Sequence, residues 1–328
     1  MLMIKFVLIN LFLWIKIYSF GNKKQDHLEY KNSRNVVEEY KNGAITSDSK
    51  ICSEIGSTVL KKGGNAIDAA IAAEFCLSVI DMQATGIGGG GKMLIYIKSD
   101  SKVNVLNFRE RSPLNVDKIP ENARLRLGPY SIAVPGSVHG LFRAWKKYGS
   151  LEWADLVEPS IRLASKGFKM TSHLRRCTKN VVHHIPPNSL LRNILLSGGR
   201  VKKIGSTVKN LDLANTLLQI SKDPMIFYNG SLATKMIEDI KEAGGILTSE
   251  DFSRYESKWE EPLKFSVNRG VIGYSPSEKS GGPLIAFILR LLKEIYRNRD
   301  KPINKDDLNL FYHRMVEVFK FAHALRSE

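Results

Sequence analysis

The amino-acid sequence predicts an α/β fold, because helical and strand patterns follow one another along one chain. Apolar residues recur at helical spacing over about residues 49–62, and an alanine-rich helical stretch follows from Asn65. Two β-rich segments, Met93–Lys98 and Lys102–Asn107, flank a polar turn and predict a hairpin. Apolar residues make up 43% of the 328 residues, which is enough to build a core for these elements.

The N-terminal segment has the layout of a secretory signal peptide over residues 1–21. Lys5 precedes an apolar run, Phe6–Ile15, and the small residues Ser19 and Gly21 follow it. A retained signal anchor is one alternative, although the run is about half of what spans a bilayer. A buried core helix is the other alternative.

A tether and one folded domain are predicted to follow. Residues 22–42 are polar and rich in Asn, Lys and Glu, whereas residues 43–328 carry the helical and strand patterns. No later stretch is apolar enough to span a bilayer. We therefore expect a secreted, extracellular protein. Anchoring at the outer face of the plasma membrane is the alternative, and it requires that the signal is retained.

The first two helices of the domain carry clear end signals. Gly63 and Gly64 end the first helix, and Asn65 can cap the second with Asp68 as its capping-box partner. Small side chains let a helix lie close to its neighbours, so we expect the second helix to be buried. Its alanines are Ala66, Ala69, Ala70, Ala72 and Ala73.

The remaining pattern alternates helices with a few strands. Residues 170–205 are basic and contain Pro186 and Pro187, so they predict an irregular surface excursion. Strands are predicted at Ser131–Val134, 262–267 and 270–274, and helices at about 137–148, 153–166, 210–221, 231–243, 282–296 and 306–326.

A glycine loop, Gly86–Gly91, matches two phosphate-binding patterns but in the wrong context. It fits G-x-G-x-x-G, and it fits the P-loop up to the position where Met93 replaces the required Ser or Thr. Both motifs need a strand before the loop and a helix after it, because the helix N-terminus binds the anion. Here the helix comes first. Close backbone packing is therefore the favoured role, and nucleotide binding is disfavoured.

Charge and metal-ligand patterns point away from two other functions. The net charge is +16, but the basic residues are dispersed and form no stripe with aromatic residues, so nucleic-acid binding is not expected. His183 and His184 are adjacent in a Pro- and Lys-rich loop and lack metal-ligand spacing. No metal or cofactor is expected.

Nine segments form an ordered set of motifs along the chain: Cys52–Gly56, Gly63–Ala70, Gly86–Gly90, Asn107–Glu110 with Pro113, Ala133–Gly136, Phe227–Ser231, Ala243–Ile246, Ser280–Pro283 and His313–Glu317. Together they resemble the large subunit of γ-glutamyltranspeptidases, from about residue 43 to 326. The resemblance implies an N-terminal nucleophile hydrolase with an αββα sandwich, of which this chain holds the large-subunit part without the small-subunit strands. It implies glutathione or another γ-glutamyl compound as the ligand.

The resemblance assigns roles to a few residues. Arg109 matches the arginine that holds the α-carboxylate of the γ-glutamyl group, for which a guanidinium fork is suited. A surface salt bridge with Glu110 is the alternative, and Glu110 is otherwise expected to be structural. Cys52 and Cys76 match positions that form a disulfide in animal members.

Two further sites are left open by the resemblance. Cys177, the third cysteine, matches no position with an assigned role. Asn229 opens an Asn-Gly-Ser sequon, which is usable for glycosylation if the chain is exported.

The family's nucleophile is expected to lie outside this sequence, so no catalytic residue is assigned within it. In the family, self-cleavage gives a small subunit whose N-terminal threonine attacks the γ-glutamyl amide, with its own α-amine as the adjacent base. Three interpretations follow: an incomplete sequence of an active enzyme, a secreted non-catalytic homologue, or a chain that pairs with a separately made small subunit. In each, the chain is expected to be inactive alone and to expose surfaces that a partner covers.

Overall fold

The computed structural model describes residues 40–326, apart from 124, 126–127, 269, 277–279 and 297–304. The predicted signal peptide and nearly all of the predicted tether therefore lie outside the described residues. The contacts between Cα atoms show that the chain from Gly43 onward forms one compact unit. All the elements described below belong to this unit.

The helices and strands are labelled in chain order. The helices are α1 Lys50–Lys61, α2 Ala66–Ile80, α3 Ser137–Tyr148, α4 Trp153–Lys166, α5 Ser172–Val181, α6 Leu190–Leu195, α7 Leu211–Lys222, α8 Ile226–Asn229, α9 Ser231–Glu242, α10 Ser249–Ser253, α11 Gly282–Ile295 and α12 Lys305–Leu325. The strands are β1 Lys92–Ile97, β2 Lys102–Asn107, β3 Phe168–Lys169, β4 Leu196–Ser197, β5 Arg200–Val201, β6 Thr207–Val208, β7 Lys258–Glu260, β8 Leu263–Asn268 and β9 Val271–Ser275.

Helix α2 begins with the predicted capping box and forms the centre of the core. The side chain of Asn65 accepts hydrogen bonds from the backbone N–H groups of Ile67 and Asp68, and Asp68 accepts one from Asn65 N in return. Apolar side chains lie on several sides of the helix, and Phe75 packs edge to face on Trp153 of α4. The predicted burial of α2 is therefore confirmed.

The carboxylate of Asp68 also joins α2 to the loop that follows α3. It is fully buried, and it accepts hydrogen bonds from the backbone N–H and the hydroxyl of Ser150. A buried carboxylate needs such donors, because burial without them has a large free-energy cost. This contact fixes the C-terminal end of α3 against the core.

Strands β1, β2 and β7 form an antiparallel sheet with β2 in the middle. The predicted β1–β2 hairpin is confirmed, and its register pairs Lys92 with Asn107 and Ile97 with Lys102. Strand β7 is a short addition from much later in the chain, which the sequence pattern did not indicate. The register leaves Asn107 at the end of β2, two residues before the predicted ligand-binding residue Arg109.

Two local predictions are wrong. Ser131–Val134 forms no strand, because Val134 makes only an isolated bridge with Arg111 before the chain enters α3. Residues 170–205 are not an irregular excursion, since they hold α5, α6 and short strands, and they bury Met170, Leu174 and Leu195 in the main core. The basic residues that suggested a loop lie on the outer faces of these elements, and buried apolar residues between them carry the packing.

The C-terminal elements present many apolar side chains to solvent. Helix α11 packs on α12 and on the β8–β9 hairpin. On α12, Val318 and Ala322 are buried, whereas Phe321 is 63% exposed. None of the helices in the described part of the chain is long and apolar enough to cross a membrane. The other exposed apolar residues here are Ile285, Leu308, Leu310, Tyr312, Val316, Phe319 and Leu325.

Candidate active-site region around Arg109

Arg109 lies two residues beyond the end of β2, with its backbone held on both sides. Its N–H donates to Oδ1 of Asn107 over 3.1 Å, and its carbonyl accepts from the hydroxyl of Tyr255 over 3.0 Å. Asn107 is held in turn, because its Nδ2 donates to Oε1 of Glu260 on β7 over 2.7 Å. Arg109 is an exposed residue.

The glycine loop packs against this segment and leaves no room for a side chain at Gly90. Gly91 exchanges backbone hydrogen bonds with Phe108, and the carbonyl of Gly89 accepts from the N–H groups of Gly136 and Ser137. A Cβ at Gly90 would lie 2.5 Å from the carbonyl oxygen of Phe108. The favoured interpretation of the loop, close backbone packing, is therefore confirmed.

Glu110 lies over the glycine loop. Its Cδ atom is 3.0 Å from the position that a Cβ atom at Gly90 would occupy. Its Oε1 atom is 3.8 Å from the position that a Cβ atom at Gly89 would occupy. This position agrees with the structural role expected for Glu110.

A cavity of about 580 Å³ opens beside Arg109, between the end of β2, the start of α11 and the end of α12. Among the residues that the structure describes, its lining contains two arginines, one serine and several apolar side chains, and no acidic residue. Such a surface suits an anionic ligand with an apolar part. The lining residues are Arg109, Ser280, Pro283, Leu284, Phe287, Ala322, Leu325 and Arg326.

Behind the Arg109 segment lies an aromatic cluster that the sequence pattern did not reveal. Tyr255 stacks on Tyr228, with ring centroids 5.5 Å apart, and both rings contact His139 edge-on. The hydroxyl of Tyr228 donates to the carbonyl of Pro135 over 3.0 Å. Burial raises the pKa of both tyrosines, so each remains a protonated hydrogen-bond donor at neutral pH. Burial, aided by Arg143, lowers the pKa of His139.

Two arginines hold the segment that carries Tyr255. Arg111 donates to the carbonyl of Glu256 over 2.6 Å, and its guanidinium lies 5.4 Å from the centre of the Tyr255 ring. Arg143 binds the carboxylate of Glu256 over 2.8 Å and the carbonyl of Ser257 over 2.6 Å. The segment 255–257 is therefore fixed against both the Arg109 segment and α3.

The cysteines and histidines named by the sequence analysis fall into different parts of the domain. Cys52 and Cys76 form the predicted disulfide between α1 and α2, and Cys177 is a half-buried free thiol on α5. His183 and His184 lie side by side in a short turn after α5. Within the described residues, no three His, Cys, Asp or Glu side chains are placed to hold a metal ion.

Asn229 and Thr248 lie away from any arrangement of catalytic groups. Asn229 is exposed at the end of α8. Thr248 is the last threonine of the sequence, and it caps α10, where its N–H and hydroxyl both donate to Oδ2 of Asp251. This capping box satisfies the polar atoms of Thr248 within the helix end.

The fold places the chain in one class of proteins, those with an N-terminal nucleophile hydrolase-type fold. A family model described as gamma-glutamyltranspeptidase matches residues 52–328. The chain belongs to the γ-glutamyltranspeptidase family.

Individual relatives agree with this assignment. Glutathione hydrolase 2 of Arabidopsis thaliana is 37% identical over 306 residues, which cover 90% of this chain and 50% of that protein. The solved γ-glutamyltranspeptidase of Helicobacter pylori is 31% identical with a TM-score of 0.80, covering 89% of this chain and 85% of the solved chain. That of Pseudomonas nitroreducens is 30% identical with a TM-score of 0.77, covering 88% and 87%.

These structural neighbours confirm the predicted fold class, an N-terminal nucleophile hydrolase-type fold in its large-subunit part. The described residues contribute one three-stranded sheet and three two-stranded ones to it. The chain spans about half the length of the curated relatives it matches.

Proposed function

We propose that this chain binds γ-glutamyl compounds such as glutathione, with Arg109 holding the α-carboxylate of the γ-glutamyl group. One observation carries the proposal. Arg109 stands on a backbone held from both sides, at the edge of a cavity whose described lining carries two arginines and several apolar side chains. A guanidinium in such a setting can bind a carboxylate through two parallel hydrogen bonds.

The proposed reaction is hydrolysis or transfer of the γ-glutamyl group, with the nucleophile supplied from outside residues 43–328. The family's threonine would attack the γ-carbonyl carbon, the amide nitrogen would leave with a proton, and water or an amino acid would then take the acyl group. The role of Arg109 in this scheme is to orient the substrate. The capping role of Thr248 supports an external nucleophile, because its hydroxyl is engaged at a helix end.

Arg109→Ala is expected to weaken binding of γ-glutamyl ethylamide about 10- to 150-fold, since a hydrogen bond to a charged group contributes about 1.5–3 kcal/mol. Isothermal titration calorimetry on the full chain measures this. The same ligand with an α-carboxamide should bind the wild type weakly and should be little affected by the substitution. Arg109→Lys keeps the charge without the fork and should recover only part of the affinity.

A matched control separates this role from a general loss of charge. Arg162→Ala removes an arginine that pairs with Glu158 on the surface of α4, and it should leave both affinities unchanged. Equal binding of the carboxylate and the carboxamide by the wild-type chain would contradict the proposal.

A secreted, non-catalytic γ-glutamyl-binding protein is the second candidate function. The same cavity supports it, because ligand binding by Arg109 requires no nucleophile. Neither candidate predicts release from a γ-glutamyl anilide by the chain alone. Co-expression with the small subunit of a related glutathione hydrolase separates them: turnover that is lost in Arg109→Ala supports the enzyme, and a complex without turnover supports the binding protein.

A small-subunit partner is proposed to cover the exposed apolar side chains of α12. Among the exposed side chains there are Tyr312, Phe319 and Phe321. A soluble protein rarely leaves so many large apolar groups uncovered on one helix. The co-expressed small subunit should therefore co-elute with this chain in gel filtration, and failure to co-elute would argue against this partner.

Export to the cell exterior is also proposed, with Asn229 as a glycosylation site. The disulfide between α1 and α2 suits an oxidising compartment, and the exposed Asn229 is accessible to the modifying enzyme. In a eukaryotic secretory host, Asn229→Gln should remove a glycan and increase electrophoretic mobility to that of the enzymatically deglycosylated wild type. An unchanged mobility would contradict glycosylation, and retention of the chain in the cytosol would contradict export.

A further inference from the structure

We propose that Tyr255 is a positioning residue that sets the direction of the Arg109 side chain and so determines how strongly the site prefers a carboxylate. The inference rests on the proposed function of Arg109. It concerns a residue 146 positions away in the sequence, on a different segment of the domain.

The contact that carries the inference is a single hydrogen bond to the backbone. Tyr255 Oη donates to the carbonyl oxygen of Arg109 over 3.0 Å. Because a side chain leaves the backbone at Cα, rotation of the Arg109–Glu110 peptide redirects the guanidinium. A bidentate contact tolerates only small errors in direction, so a fixed peptide matters more for carboxylate binding than for folding.

The Tyr255 ring is itself held in a fixed place. It stacks on Tyr228 at an interplanar angle of 18°, and Arg111 lies over its ring. The phenol is protonated at neutral pH, and burial raises its pKa further. The hydroxyl therefore offers the Arg109 carbonyl a donor whose position is set by the surrounding core.

The segment that follows Tyr255 also holds the backbone N–H side of Arg109. Glu260, five residues after Tyr255, binds the Asn107 side chain that accepts from Arg109 N–H. Glu260 also pairs with Lys92 of β1 at 3.7 Å. Residues 255–260 thus reach Arg109 from both sides, directly through Tyr255 and through Asn107.

Tyr255→Phe removes the hydroxyl and keeps the ring, so it is the test. A neutral hydrogen bond contributes about 1 kcal/mol, which corresponds to about a fivefold change in affinity. On the full chain, calorimetry should show γ-glutamyl ethylamide binding about fivefold more weakly, with the α-carboxamide form almost unchanged. The preference for the carboxylate ligand should therefore fall about fivefold.

Tyr228→Phe is the matched control. It removes the neighbouring buried hydroxyl, which donates to Pro135 rather than to Arg109, and should lower stability by a similar amount. Its carboxylate preference should stay at the wild-type value. A fivefold loss in Tyr255→Phe alone supports the positioning role, and equal losses in both variants, or a loss in neither, overturn it.

The two proposals fail in different ways. If Arg109→Ala abolishes the carboxylate preference while Tyr255→Phe keeps it, Arg109 binds the carboxylate and Tyr255 does not position it. If the wild type shows no preference, the proposed role of Arg109 fails and the role of Tyr255 fails with it.

Discussion

Gly136→Ala is expected to destabilise the domain by about 3 kcal/mol or more and to disturb the Arg109 segment. A Cβ at this position would stand 1.9 Å from the carbonyl oxygen of Phe108 and 2.1 Å from the hydroxyl of Tyr255. Neither neighbour is the flexible end of a long side chain, so the backbone of residues 108–109 or the start of α3 has to move. Such overpacking costs about 1–3 kcal/mol even where the surroundings relax, and backbone displacement adds to it.

Urea denaturation followed by circular dichroism measures this loss, and Gly88→Ala is its control. Gly88 belongs to the same glycine loop, but a Cβ there would have no heavy atom within 4 Å, and its backbone is not in the left-handed region. Its unfolding free energy should stay within about 0.5 kcal/mol of the wild type. A Gly136→Ala variant as stable as Gly88→Ala would contradict the close approach of α3 to Phe108.

Elements whose determinants are local could be predicted well from the sequence. The capping box of Asn65 and Asp68 spans four residues, and the β1–β2 hairpin is closed by a turn of four. In both cases the groups that decide the geometry are neighbours in the chain, so pattern and structure agree. Residues 170–205 show the limit, because Leu174 and Leu195 become core only through distant elements.

The candidate site could be predicted only in part. Arg109 was found through the resemblance of its flanking residues, and its position at the edge of a cavity agrees with that prediction without testing it. Tyr255 and Glu260 gave no signal, because their contacts with the Arg109 segment span about 150 residues of sequence. A pattern read along the chain cannot reveal hydrogen bonds that form only after β7 joins the sheet.

The glycine loop shows how chain order decides between chemical roles. Gly86–Gly91 satisfies a phosphate pattern by composition, yet it runs from the end of α2 into β1. The carbonyl oxygen of Gly89 faces the start of α3, where it accepts hydrogen bonds from the N–H groups of Gly136 and Ser137. Two donors at the start of that helix are therefore occupied by the loop itself.

Removing the disulfide between Cys52 and Cys76 should lower the unfolding free energy by about 3–4 kcal/mol. The bridge closes a loop with a sequence separation of 24, and the loss of loop entropy from the unfolded chain predicts this magnitude. Both cysteines are fully buried where α1 and α2 lie close together, and a Cβ on Gly56 would stand 3.1 Å from the carbonyl of Ala69. The bridge therefore holds two helices that already pack tightly.

A double variant, Cys52→Ala with Cys76→Ala, is compared with the wild type by urea denaturation under non-reducing conditions. Cys177→Ala changes the half-buried free thiol and should shift stability by less than about 1 kcal/mol. Adding a reductant should bring the wild type close to the double variant and leave the variant unchanged, because only the wild type has a bridge to lose. Both alanine substitutions also remove buried sulfur atoms, so the reduced wild type measures the effect of the disulfide bond itself. A wild type whose stability does not change with reductant would show that the bridge does not constrain the unfolded chain.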